Sequence, residues 1–348
     1  MSAEFTIGKR TIGTAQPPFV IAELSGNHNR SLERAIALVE AAASAGADAI
    51  KLQTYTADTL TMPGIHRIDN PDSPWNGREL HELYAEASTP WNWHETIFAR
   101  ARELGMLAFS SPFDESAVDF LETLDVPAYK IASFENEHYP LIRKVAACGK
   151  PLIMSTGVIT RTALDESVGY LRKLGCTEFA LLKCTSTYPA SVSTINLHTI
   201  ADLQNRYGCQ VGLSDHTLGI GVPIAAVALG AGLIEKHLTL CRADGGVDSS
   251  FSLEPQELAA LVSESRRAWE ALGKVTYKLS EKEQAQSLFK RSIYAARDLP
   301  AGHRIGAKDL RVIRPSCGLH PRDYERVQGV ALRKAISEGE PLRDEHLS

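Results

Sequence analysis

Ionisable and hydroxyl-bearing residues recur at the ends of short apolar runs in this chain, and their types suit the capture of a small anion. Lys51 and Gln53 stand two apart in IKLQTY, so on a strand they share one face. Ser110 and Ser111 close MLAFSS, Lys130 and Ser133 lie in AYKIAS with Glu135 just beyond, and Lys183, Thr185 and Ser186 form another group. Ser214, Asp215 and His216 end one run, Glu235, Lys236 and His237 lie in another, and Glu23 sits near the end of FVIAEL. Ammonium groups at 51 and 130, with hydroxyls at 111, 133, 186 and 214, suit a ligand carrying a carboxylate and a phosphate. His216 and His237 could share a divalent metal, leaving positions open for substrate oxygens and water. Either imidazole could instead be a general acid or a packed core residue. The bland alternative for the whole set is mutual pairing in satisfied polar layers, because unpaired buried charge is costly.

The elements that must position these groups are countable. Strand-like runs cover 19–24, 49–55, 106–111, 128–133, 151–156, 179–185, 210–215 and 233–239, with amphipathic stretches such as SLERAIALVEAAASAGA and RTALDESVGYLRKLG between them. Several helical patterns stop at glycine, at Gly105, Gly149, Gly175 and Gly208. Eight βα units in roughly 250 residues predict a (β/α)8 TIM barrel, whose catalytic groups gather at the C-terminal strand ends. A doubly wound sheet would favour a GxGxxG turn after the first strand, and none is present. The stretch 57–90 is too long for an ordinary connection and is expected to overhang the mouth. AELSGNHN, after the first strand, reads on its own as a turn.

The barrel is expected over 1–273, a polar linker over 274–289 and a small β-rich domain over 290–348. The last contains an echo: AGHRIGAKDL and EGEPLRDEHL share the spacing Gly302, Ile305, Leu310 and Gly339, Leu342, Leu347, which suggests two similar halves. A formal net charge of −5 without a basic run argues against nucleic acid as partner. The N-terminal MSAEFTIGKR lacks an apolar segment and no later run is long enough to cross a bilayer, so a cytoplasmic protein without membrane association is expected. Six scattered cysteines without a CxxC pair point to reduced, packed thiols.

In order, AELSGNHNRSLERA, IKLQTY, SSPFD, YKIASFE, KCTSTYP, GLSDHTLG, EKHLTL and GGVDSSFSLEP resemble the motifs of the sialic acid synthase family. RSIYAARDLPAGHRI and LRVIRPSCGLHP resemble its antifreeze-like SAF domain. The resemblance implies condensation of phosphoenolpyruvate with an open-chain N-acetylated amino sugar, releasing phosphate, with a divalent cation: manganese, or else magnesium or cobalt. SGNHN, KIASFE and GGVDSSFSLEP are most similar to the pseudaminic acid branch, which implies 2,4-diacetamido-2,4,6-trideoxy-altropyranose as the sugar. EKHLTL departs from many members at Leu238, and NEHYPL after Glu135 departs as well. N-acetylneuraminate or legionaminic acid synthesis is the near alternative. Octulosonate- or heptulosonate-type synthases share the barrel without the tail, and a non-catalytic carbohydrate-binding protein is an alternative of another class.

The resemblance also implies roles. His216 and His237 hold the metal, and Lys51 and Ser111 take the carboxylate, with Lys130, Ser133, Ser186 and Ser214 around the phosphate. Glu23 and Glu135, with Lys130, are the catalytic candidates, and Gln53, Tyr188 and Asp248 are expected at the sugar. The SGNHN loop would complete the wall of the site. Arg314, in VIRP, would reach the sugar's acetamido group from the SAF domain of a second copy, in a domain-swapped homodimer with shared sites. The plainer reading of Arg314 is a surface arginine bracing the turn before Pro315.

Overall fold

Residues 4–348 are described by a computed structural model, in which the chain divides into two compact units meeting in sequence at Gly273 and Lys274. In the first, a hairpin of β1 (Phe5–Ile7) and β2 (Arg10–Ile12) precedes eight parallel strands: β3 (Phe19–Glu23), β4 (Ala49–Thr54), β5 (Leu107–Pro112), β6 (Tyr129–Ile131), β7 (Leu152–Ser155), β8 (Phe179–Cys184), β9 (Gln210–Asp215) and β10 (Leu233–His237). They pair in sequence order, and β10 closes on β3 to complete the barrel. The hairpin, whose strands are too short to show a period in the sequence, is tied to the start of β4 by Arg10, which bonds Asp48 at 3.0 Å.

The helices form where the apolar spacing demands. In Leu32–Ser44 the buried residues are Ala35, Leu38, Val39 and Ala42, the i, i+3, i+4, i+7 stripe of a helix lying on a sheet. Ser31 caps it by accepting from the Arg34 amide at 3.1 Å, worth about 1 kcal/mol. Leu38 is fully buried, and truncating it to Ala should cost roughly 2–5 kcal/mol. The four glycines expected to stop helices all take positive φ, between 59° and 82°. The β4–β5 connection carries two helices, Ala57–Leu60 and Leu80–Ala87, ahead of the barrel helix His94–Glu103.

The segment 271–286 is exposed throughout, yet it is not wholly irregular: Ser280 caps a short helix, Glu281–Gln286. In the second unit β11 (Ser292–Ala295) pairs antiparallel with β12 (Leu310–Ile313), and isolated bridges such as Leu299 to Ile336 extend the β structure. Its core holds Ile293, Leu299, Ile305, Leu332, Ile336 and Leu342. The sequence echo is structural. Gly302 and Gly339 both have positive φ (81° and 77°), Ile305 and Leu342 are both buried, and Ala307–Asp309 and Asp344–His346 are matching short 3-10 turns.

Candidate active site

A cavity of about 340 Å³ opens among the C-terminal strand ends of the first unit, a size usual for small-molecule sites. Eleven of the fourteen residues given a role above line it; Glu23, Ser186 and Arg314 do not. Strand register explains the floor, since Glu23 on β3 lies beside both Lys51 on β4 and His237 on β10. Glu23 is fully buried and ion-paired with Lys51, whose Nζ also donates to Ser111 Oγ at 3.2 Å. Glu235 Oε1 stands 3.8 Å from both Lys51 and Lys130 and accepts from Ser214 Oγ at 3.1 Å. Lys130 in turn donates to Ser155 Oγ at 2.7 Å.

Two ammonium groups and two carboxylates thus share one buried network. Burial raises the Glu23 carboxyl above its ordinary value, with Lys51 opposing and Glu235 adding to the rise. For Glu235, burial is outweighed by Lys130 and Lys51, which hold it ionised. Burial also depresses Lys51, but Glu23 and Glu235 more than offset it, whereas at Lys130 burial wins and the ammonium is weakened.

Strand alternation sorts the clusters that the sequence ran together. Ser214, Glu235 and His237 face the cavity, while Asp215 and Lys236 pair with each other at 2.7 Å, fully buried. For those two the mutual-pairing reading is the correct one. The His216 and His237 rings lie 5.3 Å apart. His216 Nδ1 is 3.1 Å from the Thr185 carbonyl, and His237 Nδ1 is 3.3 Å from Ser25 Oγ and 3.8 Å from Asp248. Each ring is therefore oriented through Nδ1, leaving Nε2 to act as a ligand atom. Burial, then the neighbouring His216, pushes His237 well below its ordinary value, so it is neutral as a ligand must be. Burial depresses His216 too, but the Cys184 thiol, 3.9 Å from Nδ1, more than offsets this, so a metal at that ring would have to displace a proton. Among the described residues no three His, Cys, Asp or Glu side chains cluster to hold a metal. The donor set fits a divalent ion bound by two imidazoles with open positions, and not a closed structural centre.

Ser133 and Ser186 approach Gly157 from two sides, and a Cβ built there would stand 2.6 Å and 2.2 Å from their hydroxyl oxygens. Only glycine permits this, which brings Ser186 beside the lining set. Glu135 follows Ser133 in a 3-10 turn; burial outweighs the attraction of Lys130 and raises its carboxyl to about 7, and its Oε2 has no hydrogen-bond partner among the described residues. Tyr188 packs on His216 (4.6 Å between rings) and Phe251 (5.2 Å). Arg314 is exposed in the second unit, at the end of β12.

The SGNHN loop behaves differently from expectation. Ser25 touches His237, and its amide donates to Glu23 Oε1 at 2.8 Å; Asn27 bonds the Leu238 carbonyl at 2.9 Å and Ser252 at 2.8 Å. His28, however, packs edge-on against Trp93 rather than lining the cavity, and burial pushes it down to about 4. The loop braces the site instead of walling it. Glu235, Ser155 and Cys184 were assigned no role in the sequence, yet all three line the cavity. The alternation 235, 237 against 236 was the available signal for Glu235.

Comparison with known proteins adds a second line of observation. The NeuB family pattern matches residues 38–277 and the SAF domain pattern residues 290–348. The chain is 42% identical over 335 residues to a pseudaminic acid synthase of Campylobacter jejuni, covering 95% of this chain and 96% of that relative. It is 36% identical to an N,N'-diacetyllegionaminic acid synthase of Legionella pneumophila, covering 98% and 97%. The crystal structure of an N-acetylneuraminic acid synthetase from Leptospira borgpetersenii, in complex with citrate, superposes with a TM-score of 0.74 at 32% identity, covering 82% of this chain and 95% of that one.

Proposed function

Because the chain belongs to the NeuB family and carries a SAF domain, we propose that it is a pseudaminic acid synthase, joining phosphoenolpyruvate to 2,4-diacetamido-2,4,6-trideoxy-altropyranose with water and releasing phosphate. The observation that carries this reading is the buried lysine–carboxylate network beside two oriented imidazoles, in a chain 42% identical to a synthase of that name. The C2=C3 π pair of phosphoenolpyruvate forms the bond from C3 to the sugar's aldehyde carbon, and the C=O π pair moves to the aldehyde oxygen, which is protonated. Water adds at the electron-deficient C2 and releases one proton, replacing the one taken by that oxygen. The tetrahedral adduct then expels phosphate with the C2–O bond pair, and the remaining hydroxyl proton passes to phosphate as C2 becomes a ketone.

Lys51 and Ser111 receive the carboxylate, and Lys130, Ser133, Ser186 and Ser214 the phosphate. Glu23 and Glu235 balance the two ammonium groups, so the hydroxyls must supply much of the anion's hydrogen bonding. Glu135, raised by burial to about 7, can hold or accept a proton near neutrality, and Glu23, whose carboxyl burial also raises, can help position the attacking water. Gln53, Tyr188 and Asp248 orient the sugar. A divalent cation on His216 and His237, manganese by expectation, would supply Lewis-acid polarisation of the aldehyde oxygen.

We further propose a homodimer in which the SAF domain of one copy covers the barrel mouth of the other and presents Arg314 to the acetamido group. Two features support it. On successive strand-end loops Phe134, Val158, Val192 and Leu218 are 60–66% exposed, an apolar rim of the kind that partners cover. Residues 290–348 carry 12 Lys/Arg against 8 Asp/Glu, and the preceding 289 carry 25 against 34, so the two segments have net charges of opposite sign, which favours their association. No helix among the described residues is long and apolar enough to cross a membrane, and all six cysteines are unpaired, which supports a reducing, cytoplasmic setting.

Phosphate release from phosphoenolpyruvate with three amino sugars tests the assignment: the diacetamido-trideoxy-altrose, its legionaminic counterpart and N-acetylmannosamine. Turnover should be far greater with the first, and comparable kcat/KM on N-acetylmannosamine would assign the chain to sialic acid synthesis instead.

A further inference from the structure

The cavity has two chemically unlike walls. One is the polar set at the strand ends. The other comes from the long β4–β5 connection, from which Leu60, Ile68, Trp75, Leu80 and Leu83 line the same space. None of these apolar groups has a part in the condensation chemistry. Their placement is nevertheless built: Ile68 and Arg78 bond through their backbones at 2.9 Å, Gly77 bonds back to Ile68 at 2.7 Å, and Leu80 to His66 at 3.0 Å. This makes a small hairpin-like lobe with Trp75 between its arms. The Trp75 indole N–H donates to the Val247 carbonyl at 2.8 Å, and its ring lies 5.3 Å from Tyr188 and 6.4 Å from Phe251. Val247 adjoins Asp248, so Trp75 stands at the end of the cavity assigned to the sugar.

An apolar wall at that end discriminates by chemistry. A hydroxymethyl group facing Trp75 and Ile68 would lose water without gaining a partner, whereas a methyl group would gain apolar contact. We propose that Trp75, with Ile68, forms the specificity-determining wall of the sugar site and selects a 6-deoxy sugar by packing against its C6 methyl. The inference rests on the synthase reading above and names the substrate feature that this site reads. The Trp75–Val247 hydrogen bond is the latch that fixes the wall: it joins the lobe to the loop after β10, which carries Asp248.

Calorimetric titration of the full-length protein with 2,4-diacetamido-2,4,6-trideoxy-altropyranose and with its 6-hydroxy counterpart tests the wall without requiring turnover. The wild type should prefer the 6-deoxy sugar by about ten-fold, the scale a pocket achieves for one such group. Trp75→Ala should bring the ratio of the two Kd values to within about two-fold while leaving phosphoenolpyruvate binding intact. Ile68→Ser, which leaves the Trp75 latch in place, should do the same, so the test survives if Trp75→Ala disturbs the lobe. A wild type without preference, or a preference unchanged in both variants, overturns the proposal. Phosphate release by the wild type reads the synthase assignment separately. Selective binding without turnover would retire the condensation and keep the wall, and turnover without selectivity would do the reverse.

Discussion

Replacing Glu135 by Gln should make the chelator-treated protein more stable at pH 8 even as it removes turnover. In the folded chain the Glu135 carboxyl rises from 4.5 to about 7, chiefly by burial, with Lys130 pulling the other way and Tyr84 facing it. A raised folded value means that protonation favours the native state. The contribution is complete below 4.5 and lost as pH climbs through about 7. At roughly 1.4 kcal/mol per pH unit, the ionised carboxylate costs the native protein about 3 kcal/mol at pH 8. Gln keeps the shape and cannot ionise, so the variant should gain up to about that amount at pH 8 and under about 1 kcal/mol at pH 5. Denaturant unfolding of the barrel at both pH values, followed by tryptophan fluorescence, measures the difference. Equal stability of wild type and variant at pH 8, or a gain that does not shrink at pH 5, would refute the argument that burial governs this carboxyl. Loss of kcat with a gain in stability is the signature of a group held in an unfavourable environment for its chemistry.

Other outcomes follow from the same geometry. His216→Ala and His237→Ala should each abolish metal-stimulated phosphate release while leaving the circular dichroism spectrum unchanged, and near-normal rates in either would return that ring to a packing role. Chelated wild-type enzyme should regain activity with manganese, whereas full turnover of rigorously metal-free protein would exclude a metal role for the pair. Arg314→Ala should raise the sugar KM; mixed with His216→Ala protein after subunit exchange, it should recover part of the activity, because one site of the heterodimer carries neither lesion. A strictly monomeric enzyme, or no recovery despite verified exchange, contradicts the shared site. In the second unit Asp309 accepts from His303, the Gly306 amide and Arg297, and these partners, His303 foremost, hold its carboxyl down to about 2 from 3.8. That stability is present above 3.8 and lost as pH falls towards 2, so Asp309→Asn should weaken hydrogen-exchange protection across Ile305–Leu310 at pH 7 and far less at pH 2.5.

How much of this was legible in the sequence depends on whether the determining physics is local. Each barrel strand announced itself, because a strand buried on both faces must be an apolar run, and the stopping glycines fixed where helices end. The echo of Gly302 and Gly339 was legible for the same reason: a left-handed turn followed by a buried aliphatic residue is a local pattern. His216 and His237 could be placed at the mouth because they sit at strand ends, whereas Lys51 and Lys130 lie within β4 and β6 and reach the cavity from inside the barrel. What the sequence could not convey was pairing across the barrel. That Glu235 stands between Lys51 and Lys130 follows from the register of β10 on β9 and β3, and from closure of the ring, neither of which is encoded within a seven-residue window. The same limit explains His28. Its neighbours in sequence, Ser25 and Asn27, do reach the site, but Gly26 lies so close to Ala87 that a Cβ there would meet its Cα at 3.0 Å. The helix Leu80–Ala87 thus packs directly on the loop, and His28 turns to Trp93. The β4–β5 connection both displaces a residue that looked functional and supplies Trp75, which did not. In this barrel the eight strands set the polar floor, and one long loop decides what stands opposite it.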